Sequence, residues 1–173
     1  MRSRRDIFSG FAKSFQPKQV PEVILRPPYF ENKDVFYKGC IECDGVCASV
    51  CKERIIQISS DKTPKLDFAT SGCTYCDECA LACPHGVLKL ENKHRIDATF
   101  AIDMLQCMSW NQTMCFSCKD PCLDNAITFL GMFRPSIDTQ KCTSCGFCVG
   151  VCPSGAITIG HKAINEGGKD GGN

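Results

Sequence analysis

Sixteen cysteines in 173 residues exceed what an ordinary globular core uses, and in a short secreted chain that density would point to a disulfide scaffold. Secretion is not supported: the basic start Met1–Arg5 leads into no apolar run of signal-peptide type, because Lys13, Gln16, Pro17 and Lys18 interrupt it, and no window has the length and apolarity of a membrane span. The formal net charge of +1 lacks the basic excess of a nucleic-acid binder. The expectation is therefore a soluble, cytoplasmic chain, with no nucleic-acid partner and no stable membrane insertion, whose reduced thiols hold metal.

Residues 1–39 are free of cysteine and hold eight Lys/Arg against four Asp/Glu, a net of +4, whereas residues 40–173 hold twelve against fifteen, a net of −3. A basic arm on an acidic body is suited to docking a protein partner, and equally to standing as a solvated extension. Ser3-Arg4-Arg5 has the look of a twin-arginine export signal but precedes no apolar segment. Arg4 and Arg5 are accordingly candidate partner-binding residues, with a chance arginine pair as the plainer reading. Pro17, Pro21, Pro27 and Pro28 keep this stretch extended rather than helical. Residues 20–25 read either as a short strand or as a segment packed across the body.

From Cys40 onward the chain repeats itself four times. Unit one is Cys40-x2-Cys43-x3-Cys47-x3-Cys51, followed by the β-rich run 55–58. Unit two is Cys73-x2-Cys76-x2-Cys79-x3-Cys83-Pro84, followed by 87–90. Unit three is Cys107-x7-Cys115-x2-Cys118-x3-Cys122, followed by 126–130. Unit four is Cys142-x2-Cys145-x2-Cys148-x3-Cys152-Pro153, followed by 156–159. Units two to four are also preceded by such runs, at 64–67, 100–103 and 135–138. Short strands flanking a cysteine loop predict small β-ribbons that close over it. Gly86 and Gly155, each three residues past the last cysteine of a unit, supply a positive φ for the turn back. Asn125 is a tolerable substitute there, and Arg54 predicts a less regular turn in unit one.

The spacing C-x2-C-x2-C-x3-C-P is that of a bacterial-type [4Fe–4S] cluster, whose fourth cysteine ligates the other cluster of a pair. A zinc site would place its ligands in two pairs across a long spacer. Irregular and regular units alternate, which predicts an α+β fold of two tandem 2[4Fe–4S] ferredoxin-like modules, loop-rich with short β-ribbons and short helices. The boundaries read as an arm 1–39, a first two-cluster module 40–94, a second 95–160 and a polar, glycine-rich, disordered tail 161–173. Crossed ligation assigns Cys40, Cys43, Cys47 and Cys83 to a first cluster and Cys73, Cys76, Cys79 and Cys51 to a second. Cys107, Cys115, Cys118 and Cys152 hold the third; Cys142, Cys145, Cys148 and Cys122 hold the fourth. Sixteen cysteines then fill all the ligand positions of four clusters.

Two departures from regular spacing stand out. The extra residue between Cys43 and Cys47 requires a bulge, which Gly45 allows. The long gap after Cys107 makes a loop carrying Trp110, placed to shield a cluster; the alternative is a free Cys107 thiol beside a [3Fe–4S] cluster. No acid–base pair or nucleophile surrounds His85, His94 or His161, which read as surface histidines, although His85 lies close enough to Cys83 to tune a cluster by hydrogen bonding. Nor does the chain hold a nucleotide-binding loop, so no catalytic residue is assigned and an enzyme is not expected.

The arm with Ser3-Arg4-Arg5, Arg26-Pro-Pro-Tyr29, the irregular first quartet, Cys73-Thr-Tyr-Cys76 and the Cys107-x7-Cys115 gap together resemble the NapF ferredoxins of periplasmic nitrate reductase systems, over roughly residues 3–160. The quartets are general to ferredoxins; the arm and the seven-residue gap are the specific part. The resemblance implies a cytoplasmic protein with four [4Fe–4S] clusters. It further implies binding to the catalytic molybdenum subunit of periplasmic nitrate reductase before export, assisting its iron–sulfur maturation or supplying electrons. The three-residue gap between Cys43 and Cys47 departs from the expected spacing and leaves the first cluster's nuclearity open. The competing readings are a general soluble polyferredoxin electron carrier and a non-redox module with structural zinc.

Overall fold

The computed structural model describes residues 24–161; Arg4, Arg5 and residues 162–173 lie outside the described residues. The described chain is loop-rich, with short helices and three two-stranded antiparallel ribbons. Its strands fall where β-branched and aromatic residues cluster after or before a cysteine quartet. β1 (Ile56–Ile58) pairs with β2 (Pro64–Leu66). β3 (Ala98–Ile102) pairs with β6 (Ile157–His161). β4 (Ile127–Leu130) pairs with β5 (Phe133–Ile137), irregularly at Phe129/Leu130 where Gly131 turns the hairpin at φ +65°.

In the second half of the molecule the ribbons nest: β3 and β6, at its two ends in sequence, enclose the β4–β5 hairpin. The first half has the inner hairpin β1–β2 but no outer ribbon, and the run 87–90, expected to be a strand, is none. Its partner explains this. Opposite Lys89 runs Arg26-Pro-Pro-Tyr29, and two adjacent prolines have no N–H to donate to a ladder. What remains is one-sided: Lys89 N–H donates to the Tyr29 carbonyl (2.8 Å), His94 N–H to the Pro28 carbonyl (3.0 Å) and Leu66 N–H to the Leu25 carbonyl (2.9 Å). The chain beyond Lys89 forms a 3-10 turn, Leu90–Asn92, instead.

Residues 24–39, read from the sequence as part of an arm, therefore lie against the first half. Tyr29 is 1% exposed and Phe36, on helix α1 (Asp34–Gly39), is fully buried. Arg26 is buried too; its guanidinium donates to Thr63 Oγ1 and the Pro64 carbonyl, both at 2.6 Å, and stacks 5.0 Å from the Phe36 ring centroid. The backbone carbonyl and hydroxyl satisfy donors that burial would otherwise leave costly. One continuous apolar core links Tyr29, Phe36, Ile55 and Leu88 to Ile96, Phe100, Ile127 and Ile157, so it runs through both halves. The Phe68 and Phe100 rings, 5.9 Å apart, join them at the middle.

Three four-residue helices follow the cysteine loops: α2 (Val46–Ser49), α3 (Glu78–Leu81) and α4 (Phe147–Gly150). Each starts after a left-handed residue, Gly45 (φ +71°), Asp77 (φ +68°) or Gly146 (φ +85°). A Cβ on Gly146 would come within 2.4 Å of Phe68 Cδ1, so this position needs glycine for space as well as for φ. The turn after each quartet is the same in all four units: Arg54 (φ +55°), Gly86 (φ +61°), Asn125 (φ +50°) and Gly155 (φ +62°). Unit one thus makes the regular turn despite its arginine, at some conformational cost.

Candidate metal centres

Each short helix carries the third cysteine of its unit: Cys47 on α2, Cys79 on α3 and Cys148 on α4. Because each helix stops two residues short of the fourth cysteine, Cys51, Cys83 and Cys152 leave the helical face and reach a different recess from their own unit's other thiols. Four recesses result. Cys40, Cys43, Cys47 and Cys83 line one. Cys51, Cys73, Cys76 and Cys79 line another. Cys107, Cys115, Cys118 and Cys152 share a third. Cys122, Cys142, Cys145 and Cys148 share a fourth. All sixteen cysteines are free thiols.

The third recess includes Cys107, brought in by the loop that the seven-residue gap creates. Within that loop Met108, with Pro135, lines the recess. Trp110 does not; its indole N–H donates to the Pro135 carbonyl at 3.1 Å, and the Arg134 guanidinium lies 5.9 Å from its ring centroid. His85 lines the first recess, while His94 packs edge-on against Phe30 at 4.8 Å.

The recesses are apolar enough to oppose thiolate formation. Burial pushes the Cys47, Cys73 and Cys118 thiols up to about 11, and Cys79 and Cys148 up to about 12, with neighbouring cysteines adding to the rise. Burial raises Cys40 and Cys142 in the same direction. Cys152 is the exception. Its burial also acts upward, but hydrogen bonds from Ser154 and the Ala156 N–H outweigh that and lower it. Thiols held protonated at neutral pH must release protons when they take up metal, so loading is linked to pH.

Two recesses meet at the junction of the halves. Cys73 N–H donates to the Cys145 carbonyl at 2.7 Å, directly joining the loops of the second and fourth recesses. Beside it the Tyr75 hydroxyl donates to the Thr143 carbonyl (2.6 Å) and accepts from Ile96 N–H (3.2 Å). Gly72 fits against Phe147, where a Cβ would come within 2.5 Å of the backbone nitrogen. In the first half the Tyr29 hydroxyl donates to Asp77 Oδ1 (2.8 Å), the same atom that Lys93 Nζ reaches at 2.6 Å. Sequence reading gave Tyr75, Tyr29 and Gly72 no role; the only signal was their position beside a quartet or in a Pro-Pro-Tyr run.

Four thiols around each recess suit a group with several metal atoms. Zinc–sulfur bonds of about 2.3 Å would draw four sulfurs around one ion. The donor set, all thiol, is that of an iron–sulfur cube. Comparison with known proteins agrees. Residues 39–87 match a 4Fe-4S dicluster domain and residues 135–158 a 4Fe-4S binding domain. The chain is thus a ferredoxin-type iron–sulfur protein with [4Fe–4S]-binding domains.

Ferredoxin-type protein NapF of Escherichia coli K12 is 31% identical over 138 residues, covering 78% of this chain and 83% of the relative. The NapF protein of Haemophilus influenzae is 31% identical over 150 residues, 82% of each. The methylamine utilization ferredoxin-type protein MauM of Methylorubrum extorquens is 28% identical over 168 residues, 84% of this chain and 76% of the relative. This chain belongs to the NapF family of ferredoxin-type proteins. Among the described residues no helix is long and apolar enough to cross a membrane.

Proposed function

We propose that the chain consists of tandem two-cluster ferredoxin-like modules and holds four [4Fe–4S] clusters by crossed ligation, three cysteines from one unit and the fourth from its companion. The observation that carries this is the division of the sixteen cysteines among four recesses, each lined by such a set. Bound clusters supply one-electron oxidation and reduction. The protein's part is to fix the thiols, exclude water with Pro135, Met108, Val87 and Leu88 around the recesses, and tie the two halves together through Tyr75. Anaerobically purified protein should contain about sixteen iron atoms and as many acid-labile sulfides. An iron-free, zinc-loaded protein of full stability would overturn the reading. Cys51→Ala should disturb the cluster bound by Cys73, Cys76 and Cys79; loss confined to the Cys40, Cys43, Cys47 site would mean uncrossed ligation.

Membership in the NapF family supports a role as a cytoplasmic accessory protein. In that role it docks the catalytic molybdenum subunit of periplasmic nitrate reductase and assists its iron–sulfur maturation before export, with electron supply as part of the task. The basic residues Arg4 and Arg5 are proposed to pair with carboxylates on that subunit, for which guanidinium groups are suited. The likeness to MauM, tied by name to methylamine utilization, favours a second reading as a general electron carrier. Affinity capture decides between them. The accessory role expects retention of the cluster-free catalytic subunit at low salt, weakened by Arg4→Ala/Arg5→Ala. Equal retention of unrelated redox proteins, unaffected by that change, favours the carrier.

A further inference from the structure

The third recess differs from the others in what stands beside its sulfurs. Cys115 Sγ–H donates to Ser117 Oγ at 3.7 Å, and Cys152 Sγ lies 3.7 Å from Ser154 Oγ. Both serines line the recess together with Cys107 and Cys118. A backbone N–H on sulfur is not particular to it: Ala156 N–H donates to Cys152 Sγ at 3.2 Å, as Leu88 N–H does to Cys83 Sγ (3.5 Å) in the first recess and Tyr75 N–H to Cys73 Sγ (3.4 Å) in the second. Corresponding positions elsewhere carry no hydroxyl. The residue before the third cysteine of each unit is Val46, Glu78, Ser117 or Phe147; the residue two beyond the fourth is Glu53, His85, Asp124 or Ser154. Instead, the second recess is lined by Glu53, Asp77 and Glu78 and the fourth by Asp124. No carboxylate lines the third, nor the first, which holds His85 and no hydroxyl, so the two serine hydroxyls are what set the third apart from it.

A thiolate bound to iron has no proton to give, so each serine hydroxyl must turn and donate to the sulfur. Taking up an electron adds negative charge to the cluster and its ligands. Hydrogen bonds donated to sulfur strengthen as that charge grows, whereas nearby carboxylates oppose it. We propose that Ser117 and Ser154 give the third recess the highest reduction potential of the four sites, making it the place where an electron entering the chain comes to rest. This rests on the reading that each recess holds a [4Fe–4S] cluster.

The test is a redox titration of the holoprotein with dithionite as electron donor, followed by electron paramagnetic resonance, with iron measured on the same samples. The highest-potential signal of the parent should be the one missing from a Cys107→Ala variant. Ser117→Ala/Ser154→Ala should keep its iron and lower that potential alone. At the parental midpoint, the reduced-to-oxidised ratio should fall about tenfold, about 59 mV for one electron. Ser117→Ala/Ser154→Thr, which returns one hydroxyl, should recover part of the shift. If the double variant loads less iron, each single variant should still show a smaller shift of the same signal. Full iron with unmoved potentials, or a shift in another signal, overturns the assignment. A parent that lacks the third cluster overturns the four-cluster reading instead.

Discussion

The two halves of the molecule close over their recesses by different means. The second half is bounded by its own outer ribbon, with Ala98 opposite His161 and Ile102 opposite Ile157. The first half has no such ribbon; the segment 24–30 fills the place with one-sided backbone bonds and with side chains, chiefly Tyr29 on Asp77 and Arg26 on Thr63 and Pro64. A proline pair thus converts a backbone ladder into a side-chain clasp. Ladder bonds tolerate many substitutions, since every residue but proline offers the same groups. A clasp depends on particular residues. The halves should therefore differ in how single substitutions affect them.

Tyr29→Ala should have the largest effect, about 3–5 kcal/mol for loss of a buried aromatic side chain, because Tyr29 is 1% exposed and its hydroxyl bonds Asp77. If the halves are separate in stability, iron analysis should show about half the clusters lost under mild denaturant. Equal loss from both halves would show that the shared core unfolds as one unit.

Gly146→Ala comes next and probes the junction. The added methyl must find room against Phe68 Cδ1, 2.4 Å away, at φ +85°. Strain and overpacking together should cost about 2–4 kcal/mol, read from the urea midpoint. Gly155→Ala isolates the backbone share, since its φ is +62° and nothing lies within 4 Å; about 1 kcal/mol is expected. Equal losses at the two glycines would mean that the Phe68 contact gives way readily.

Asp77→Asn should be the mildest and sharpens the view of the clasp. Hydrogen bonds from Lys93 and Tyr29 hold the Asp77 carboxyl below its usual value. A depressed folded pKa contributes stability that is present above the unfolded value and lost as pH falls through the folded one. The variant should thus unfold slightly earlier than the parent at pH 7, and the gap should close below about pH 4. Thermal melts across that range check it; a gap unchanged with pH would assign the effect to packing alone.

Much of this was legible in the sequence for physical reasons that can be named. The runs 55–58, 64–67, 100–103, 126–130, 135–138 and 156–159 all contribute to strands, since each couples β-forming residues to a facing run of the same kind. Run 87–90 has that composition as well, but its partner carries Pro27 and Pro28, and a partner is not visible from within the run. Spacing grouped the first three cysteines of the second and fourth units because gaps of two residues leave a short loop few ways to point its thiols, whereas Cys107 joins its recess across a loop of seven residues. Arg54 was misleading: its turn is imposed by the surrounding fold at φ +55°, against the residue's own preference. Tyr75 and Thr143 are far apart along the chain, and nothing local to either announces their bond. The serines beside the third recess were likewise silent, since Ser117 and Ser154 gain meaning only next to sulfurs that different units supply.

The lining of the third recess also bears on how the chain is made. Cys107, Cys115 and Cys118 leave the ribosome well before Cys152, the thiol that completes their set. At about 5–20 residues per second, the interval is a few seconds. During it three reduced thiols stand without their fourth and without strand β6, whose pairing with β3 closes the half. The last site in the molecule to become complete is thus not the last in sequence to begin, and metal delivered in that interval meets a first half whose residues have all been made beside a second that is still open.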